Sequence, residues 1–314
     1  MKIGSLFSGI GGLDLACEAM FSGTTAWQVE LAPFACEVLR RHWGDIVIEQ
    51  DVTTVDTSEL EDIDCLLAGW PCQDLSIAGR RAGLDGEKSG LYSQVLRFTR
   101  DLSPSLVVGE NVPNVLKYKD RIAKDFHALG YGTRFVPISA SQAGAPQLRR
   151  RVFIVAYKGW TGSEVVGNWG PREPHLWPTP CASGDRTTMF QQGGEPLGHA
   201  LRRPVRGCED ALPGVANPDF VDALQGFPVG WSNPEGASSL FLAGVFAQGL
   251  VWPAARPLAQ GDWEPPRLVE ARSVKNRAAR LKAMGNAVVP AQARAAIERA
   301  MEARGVQQRL FEEV

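Results

Sequence analysis

Lys2–Met20, KIGSLFSGIGGLDLACEAM, is the stretch whose reading decides the fold. Residues 2–7 read as a buried strand, FSGIGG (7–12) as a glycine turn, and Leu13–Met20 as a helix. Strand, glycine turn and helix in that order open a doubly wound α/β fold. Glycines let the backbone approach a ligand, and the helix N-terminus offers free N–H groups. The nicotinamide fingerprint GxGxxG would need a third glycine where Asp14 stands, so a dinucleotide fits poorly. A GxGG turn suits a cofactor without pyrophosphate, such as S-adenosylmethionine. By itself, a purely structural glycine turn reads about as well.

Outward from this unit, Ala26–Glu30 is a second strand ending in a carboxylate. An acidic residue about 20 positions past the glycines commonly binds ribose hydroxyls, and Glu30 fits, with a surface glutamate as the plainer reading. Pro33–Trp43 reads as a helix and Ile46–Ile48 as a third strand, followed by Asp51 and Val52. Asp51 could accept a hydrogen bond from an adenine amino group or serve as a helix cap. Asp64–Ala68 is a fourth buried strand that breaks at Gly69 and Pro71 and presents Cys72. A thiol on such a turn can be exposed and activated by a helix N-terminus or a cation; a packing cysteine is the rival reading.

AGRRAGLDGEKSG (78–90) has the glycine and charge of a mobile lid, or of a long surface loop. Leu91–Leu102 is helical, and Ser105–Gly109 is a fifth strand that delivers Glu110, Asn111 and Val112. A carboxylate at the C-terminal end of a central strand is a good acid/base candidate. Val115–Leu129 reads as a helix, and Tyr131–Ile138 pairs with Arg151–Ala156 across AGAPQLRRR (143–151).

From Tyr157 to about Gly214, and again from Ser232 to Pro266, periodicity gives way to Trp, Pro, Gly and Arg. NPDFVDALQGFP (217–228) between them is a short amphipathic helix ending in a turn. Arg272–Met284 reads as a basic helix, GNAVVP (285–290) as a turn or short strand, and Ala291–Arg304 as a closing helix. His175, Cys181, His199 and Cys208 are too irregularly spaced for a zinc finger, and no metal is expected.

The 314 residues suffice for a large α/β domain and a smaller lobe, with the 44% hydrophobic and 22% charged content of ordinary globular proteins. No apolar run approaches a membrane span. The first residues lack a signal peptide's apolar core, so a cytoplasmic location is expected, in a bacterial cell or phage-infected host. Six cysteines without disulfide or CxxC spacing read as reduced thiols. A net charge of −2 argues weakly against indiscriminate coating of nucleic acid, yet basic residues cluster at Arg149–Arg151, at Arg202, Arg203 and Arg206, and from Arg267 to Lys282.

FSGIGG, GWPCQDLS, ENV, APQLRRR, LQGFP and GNAVVP, in this order, resemble the motifs of DNA cytosine-5 methyltransferases, bacterial and phage types most. The resemblance leaves out only 157–215 and 232–266. It implies a Rossmann-like, doubly wound, mostly parallel sheet with a smaller irregular target-recognition lobe. The division would be 1–157 for catalysis and cofactor, 158–270 for recognition around the 217–228 helix, 271–304 returning to the catalytic domain, and 305–314 as tail.

The resemblance also implies roles. Phe7, Ser8, Gly9, Gly11, Gly12 and Leu13 would line an S-adenosylmethionine pocket, Glu30 would hold the ribose, and Asp51 with Val52 the adenine. Pro71, Asn286 and Val288 would complete the pocket. Cys72 would be the nucleophile and Glu110 the acid that engages the base, with Arg149 and Arg151 as its polar partners; Gln147 would order the arginine turn. Gln73, Ser76, Arg80, Arg81, Lys88, Arg202, Arg203 and Arg206 would contact DNA. Double-stranded DNA is the implied partner, a cognate restriction endonuclease is compatible with it, and a monomer is expected. Asp74 and Leu148 depart from the commonest form of the motifs without touching a catalytic role.

The implied chemistry is methyl transfer to carbon 5 of a flipped cytosine through a covalent Cys72 adduct. An RNA cytosine-5 methyltransferase, a relative that transfers a larger group from a modified S-adenosylmethionine, and a non-catalytic DNA-binding relative remain the rival readings. Cys72 and Glu110 both speak against the last.

Overall fold

A computed structural model describes residues 1–71, 91–171, 176–181, 197–202, 214–236, 252–255, 260, 262–270 and 272–302. Cys72 and the expected lid at 78–90, the expected tail at 305–314, and His175 and Cys208 lie outside the described residues.

β1 (Lys2–Leu6) is the middle of five parallel strands, with four of its five residues buried and a strand paired on each side. β2 (Thr24–Glu30) and β4 (Cys65–Ala68) flank it in parallel, β3 (Val47–Glu49) adds outside β2, and β5 (Leu106–Asn111) outside β4. Strands buried on both faces need continuous apolar runs rather than alternation. CLLA of β4 and LVVGEN of β5 accordingly have no exposed residue.

β6 (Gly132–Ser139) and β7 (Arg150–Tyr157) are joined by a short connection, which permits only antiparallel pairing. β7 inserts next to β5, also antiparallel. β8 (Ser163–Val165) adds parallel to β6 at the edge, so the order among the described residues is 3-2-1-4-5-7-6-8.

Helices cover both faces. On one, α1 (Gly12–Phe21) and the last helix, Pro290–Glu302, bury Leu13, Cys17 and Ile297 against Ile3, Leu67 and Val108. On the other, α3 (Tyr92–Leu102) and α4 (Lys119–Ala128) bury Phe98 and Phe126 against Leu66 and Val107. α2 (Pro33–Trp43) has the proline at its start expected of a helix N-terminus, and its Ala35 and Val38 pack on a third cluster. That cluster holds Phe220 and Trp231, and residues from three further helices: α5 (Leu197–Arg202), α6 (Pro218–Leu224) and α7 (Arg277–Asn286). The helix Pro290–Glu302 is α8.

Arg280 of α7 is buried and donates to Asp219 at 2.6 Å, Asp222 at 2.8 Å and Ser232 Oγ at 2.9 Å, tying α7 to α6. Burial raises the Asp222 pKa to about 7, against the pull of Arg280.

The structure shifts several boundaries. The region after Tyr157, expected to be without strands, contributes β8, and a two-residue ribbon pairs β9 (Val215–Ala216) with β10 (Leu268–Val269). Their pairing depends on distant partners and leaves no local period. β5 extends through Glu110 and Asn111 because β7 pairs with both. The expected helix at 115–129 begins as a 3-10 turn, Pro113–Tyr118, before α4. α7 starts at Arg277, after Asn276 takes a left-handed φ of 56°, and takes in Gly285 and Asn286.

Gly12 marks where the C-terminal return meets the first turn. A Cβ there would lie 2.2 Å from the Val288 carbonyl oxygen and 3.0 Å from Phe227 Cζ. A backbone atom cannot step aside as a side chain can. Gly12→Ala is therefore expected to cost about 1–3 kcal/mol in chemical denaturation, as overpacking does. An unchanged midpoint and slope would show that Val288 does not hold this contact.

Candidate active site

Parallel pairing puts Leu6, Ala68 and Gly109 in one row across β1, β4 and β5. The residues that follow are Phe7, Gly69 and Glu110, so the glycine turn, the GWPC turn and the ENV segment start side by side. Ligands of open parallel sheets bind at this C-terminal edge. A cavity opens there, lined by the turn from Phe7 to Leu13 except Gly11, by Gly69 and Glu110, and by Asn286–Val288 of the C-terminal return.

Glu110 is 9% exposed, and its Oε1 lies 2.8 Å from Arg151 Nε. The pair is an ion pair out of hydrogen-bond alignment: among the described residues Oε1 is buried with no hydrogen-bond donor. A buried carboxylate held by a cation at a strand end, and lining a cavity, is a candidate site. Beside it, Asn111 Nδ2 donates to the Trp70 carbonyl at 3.2 Å and its Oδ1 accepts from Val112 N–H at 2.8 Å, fixing the ENV segment against the turn that leads to Pro71.

Arg149 does not share Glu110, contrary to the sequence expectation. Arg149 precedes β7, and its side chain runs into the C-terminal return. Its guanidinium donates to the Gly285 carbonyl at 3.2 Å, to Ala287 O, and to Pro180 O at 3.4 Å. Burial, with nearby Arg151, lowers its pKa to about 9, so it stays charged at neutral pH. Gln147 continues the seam: Nε2 donates to Leu224 O at 2.8 Å and to Gln225 Oε1 at 2.9 Å. Gln225 Nε2 donates in turn to Met284 O at 2.7 Å, and Gln292 Nε2 to Ile138 O and Arg149 O at 2.9 and 2.8 Å. APQLRRR, LQGFP and GNAVVP are thus hydrogen-bonded to one another.

Residues 1–174, more than half of the chain, match the family of C-5 cytosine-specific DNA methylases. The chain belongs to that family. It is 37% identical over 173 residues to the type II methyltransferase M.NgoFVII of Neisseria gonorrhoeae, covering 51% of this chain and 45% of the relative. It is 31% identical over 263 residues to the type II methyltransferase M2.BsuMI of Bacillus subtilis, covering 74% of this chain and 66% of the relative. The matched stretch thus spans less than two thirds of either relative. Among solved structures, the S. pombe Dnmt2 methyltransferase shares the fold, with a TM-score of 0.61 at 14% identity over 97% of this chain and 99% of that one.

In this methylase-family chain, the cofactor candidates gather around the turn. Phe7, Gly9 and Gly11 have φ of 54°, 58° and 82°. At Gly11 a Cβ would lie 2.2 Å from the Trp43 ring, so glycine is required twice over. Phe7 has no such freedom, and its strained backbone costs about 1–3 kcal/mol, as is common at ligand clamps. Ser8 Oγ donates to Ser5 O at 3.2 Å. Glu30 Oε2 accepts from Gly9 N–H at 2.8 Å, and Oε1 from Leu31 and Ala32 N–H at 3.0 and 2.8 Å. Three of about four acceptor sites are used, leaving one on Oε2 for a ribose hydroxyl. With the cavity and with Asp14 in the place of a third glycine, these residues fit an adenosyl cofactor without pyrophosphate.

Asp51 is exposed and does not line the cavity; its Oδ1 accepts from Thr53 N–H and Oγ1 at 2.9 and 2.8 Å, which lowers its pKa. Its Oδ2 is the atom turned to neither. Val52 is buried, Pro71 half-buried, Asn286 exposed and Val288 half-buried. Of the expected DNA contacts, Arg202 is half-buried and donates to Gly214 O at 2.9 Å. Gln73, Ser76, Arg80, Arg81, Lys88, Arg203 and Arg206 lie outside the described residues, as does Cys72. No metal-binding cluster occurs among the described residues.

Sequence reading missed Trp231. Its indole donates to the Ile10 carbonyl inside the glycine turn at 2.8 Å, and its ring stacks on His42 at 3.4 Å and 4°. The only signal was its place three residues after the Gly-Phe-Pro turn.

Arg149→Met would leave the Gly285 and Ala287 carbonyls without their donor. It is expected to lower stability by about 1–3 kcal/mol in urea unfolding. An unchanged midpoint would mean that the seam is not held by Arg149.

Proposed function

We propose that this protein transfers a methyl group from S-adenosylmethionine to carbon 5 of a cytosine in double-stranded DNA. The observation that carries this reading is the buried Glu110–Arg151 pair, lining the cavity at the same row of strand ends as the glycine turn and the Trp70–Pro71 turn that leads into Cys72.

Cytosine carbon 5 is a poor nucleophile, and a thiolate on carbon 6 changes that. Cys72, as thiolate, forms a bond to carbon 6; the carbon 5–carbon 6 π pair moves toward carbon 4, and ring nitrogen 3 takes a proton from Glu110. Arg151 holds Glu110 in place and offsets negative charge as it develops on the ring. Carbon 5 is then electron-rich, and the cofactor, when bound, supplies an electrophilic methyl group to it. Loss of the carbon 5 proton to a base expels the Cys72 thiolate, and return of the nitrogen 3 proton to Glu110 restores the neutral ring. Glu30, the turn 7–13 and Asn286–Val288 hold the cofactor, with Asp51 and Val52 at its adenine end. Arg149 and Gln147 act as braces of the arginine turn.

The cytosine has to leave the duplex stack, which costs a few kcal/mol. The lobe around α6, with Arg202, Arg203 and Arg206, and the 78–90 loop are the DNA-facing parts in this reading. The relatives' type II designation favours a restriction-modification setting in a bacterial cytoplasm, with a cognate endonuclease acting on the same site and this chain acting as a monomer.

Nucleoside mass spectrometry of DNA from expressing cells tests the reaction. Wild type should raise 5-methylcytosine, Cys72→Ala should not, and Glu110→Gln should slow transfer about 10²–10⁴-fold, the usual weight of a general acid. Full modification by Cys72→Ala would overturn the mechanism. A heavier adduct on cytosine would change the transferred group.

A further inference from the structure

Among the described residues two titratable side chains line the cavity, and one has a counter-ion: Glu110 faces Arg151, while no described cation pairs with Asp14. Asp14 is 0% exposed, in the first turn of α1, and both of its oxygens accept from neutral donors. Ser5 Oγ donates to Oδ2 at 3.2 Å and Gln28 Nε2 to Oδ1 at 2.9 Å. Gln28 is itself 0% exposed, and turning its amide nitrogen to Asp14 leaves its own Oε1 without a partner. The cavity is thus lined by a carboxylate whose described side-chain partners are neutral, backed by Gln28, whose own carbonyl oxygen is unsatisfied.

A buried carboxylate without a counter-charge is costly, and a ligand that brings a positive charge offsets that cost. The cofactor of the proposed function carries two positive groups at its methionine end, the sulfonium and the ammonium. We propose that Asp14 is the counter-charge for that positive end and selects the charged cofactor over uncharged adenosyl compounds. This rests on the methyl-transfer reading above.

Burial raises the Asp14 pKa to about 7, with the hydrogen bonds from Gln28 and Ser5 opposing. Glu18 on the same helix adds to the rise; Cys17 beside it is buried and pushed well above its usual range. Glu110 faces it across the cavity, while β1 and β2 present only Ser5 and Gln28. A cation entering the cavity favours ionised Asp14, so binding releases a proton, and affinity rises as pH rises toward and through 7.

The test is calorimetric binding of S-adenosylmethionine, S-adenosylhomocysteine and 5′-methylthioadenosine, the last of which has neither positive group. For wild type between pH 5.5 and 7.5, below the range of an ordinary α-amino group, S-adenosylmethionine affinity should rise about tenfold while that of 5′-methylthioadenosine stays level. Asp14→Asn, which keeps the shape and loses the charge, should weaken S-adenosylmethionine about tenfold or more, flatten its pH profile and leave 5′-methylthioadenosine within about twofold. An equal loss for S-adenosylhomocysteine assigns the contact to the ammonium, a smaller one to the sulfonium. Equal weakening of all three compounds, or of none, overturns the proposal. Should Asp14→Asn not fold, a level wild-type profile for S-adenosylmethionine overturns it alone. Wild type that binds no S-adenosylmethionine at any pH contradicts the proposed function instead.

Discussion

The register of three parallel strands is the constraint on which the site depends. Leu6, Ala68 and Gly109 share one row, and Gly69 N–H reaches back to the Leu6 carbonyl at 3.4 Å. A slip of one residue in β5 would turn every side chain to the opposite face, taking Glu110 away from the glycine turn. Burial helps to hold the row in register: β4 and the first residues of β5 are apolar on both faces. Gly109 adds shape, since a Cβ there would lie 2.7 Å from the Trp70 ring of the GWPC turn.

The C-terminal part of the chain completes what the first part begins. α7 and α8 return over the sheet edge, and the link between them lays Val288 on Gly12. Buried amide and guanidinium groups of Gln147, Arg149, Gln225 and Gln292 fill the seam, each donating to a main-chain carbonyl. Such networks fix one arrangement because a half-made network is costly. Trp231 performs the same task for the glycine turn from the opposite side. His42 stacks under it and Arg41 donates to the Gly230 carbonyl, so the end of α2 and the segment after α6 enclose the turn together.

The sequence made visible what is local. KIGSL, the glycine turn and α1 read as a unit, and Pro33–Trp43 was found to the residue because a proline start and a glycine end both mark it. Glu110 and Arg151 could be paired through motif order. What stayed hidden depends on contacts between distant residues. Trp231 and Ile10 are 221 residues apart, and Arg149 and Gly285 are 136 apart, so no window of sequence holds both partners. Arg149 and Arg151 look equivalent in RRR, but Arg149 lies just before β7 and bonds to the distant C-terminal return, whereas Arg151 lies in the strand beside Glu110. β8, β9 and β10 are two or three residues long, too short for any periodicity to show.

The central claim is that this row of strand ends serves covalent catalysis on a cytosine, and trapping the adduct tests it most directly. Long duplex DNA that carries 5-fluorocytosine in place of cytosine, incubated with the protein and S-adenosylmethionine, offers a ring whose carbon 5 substituent cannot leave as a proton does. The adduct should accumulate, and peptide mass spectrometry should place it on Cys72. No adduct from protein that binds both DNA and cofactor, or an adduct on Cys181 instead, would contradict the account.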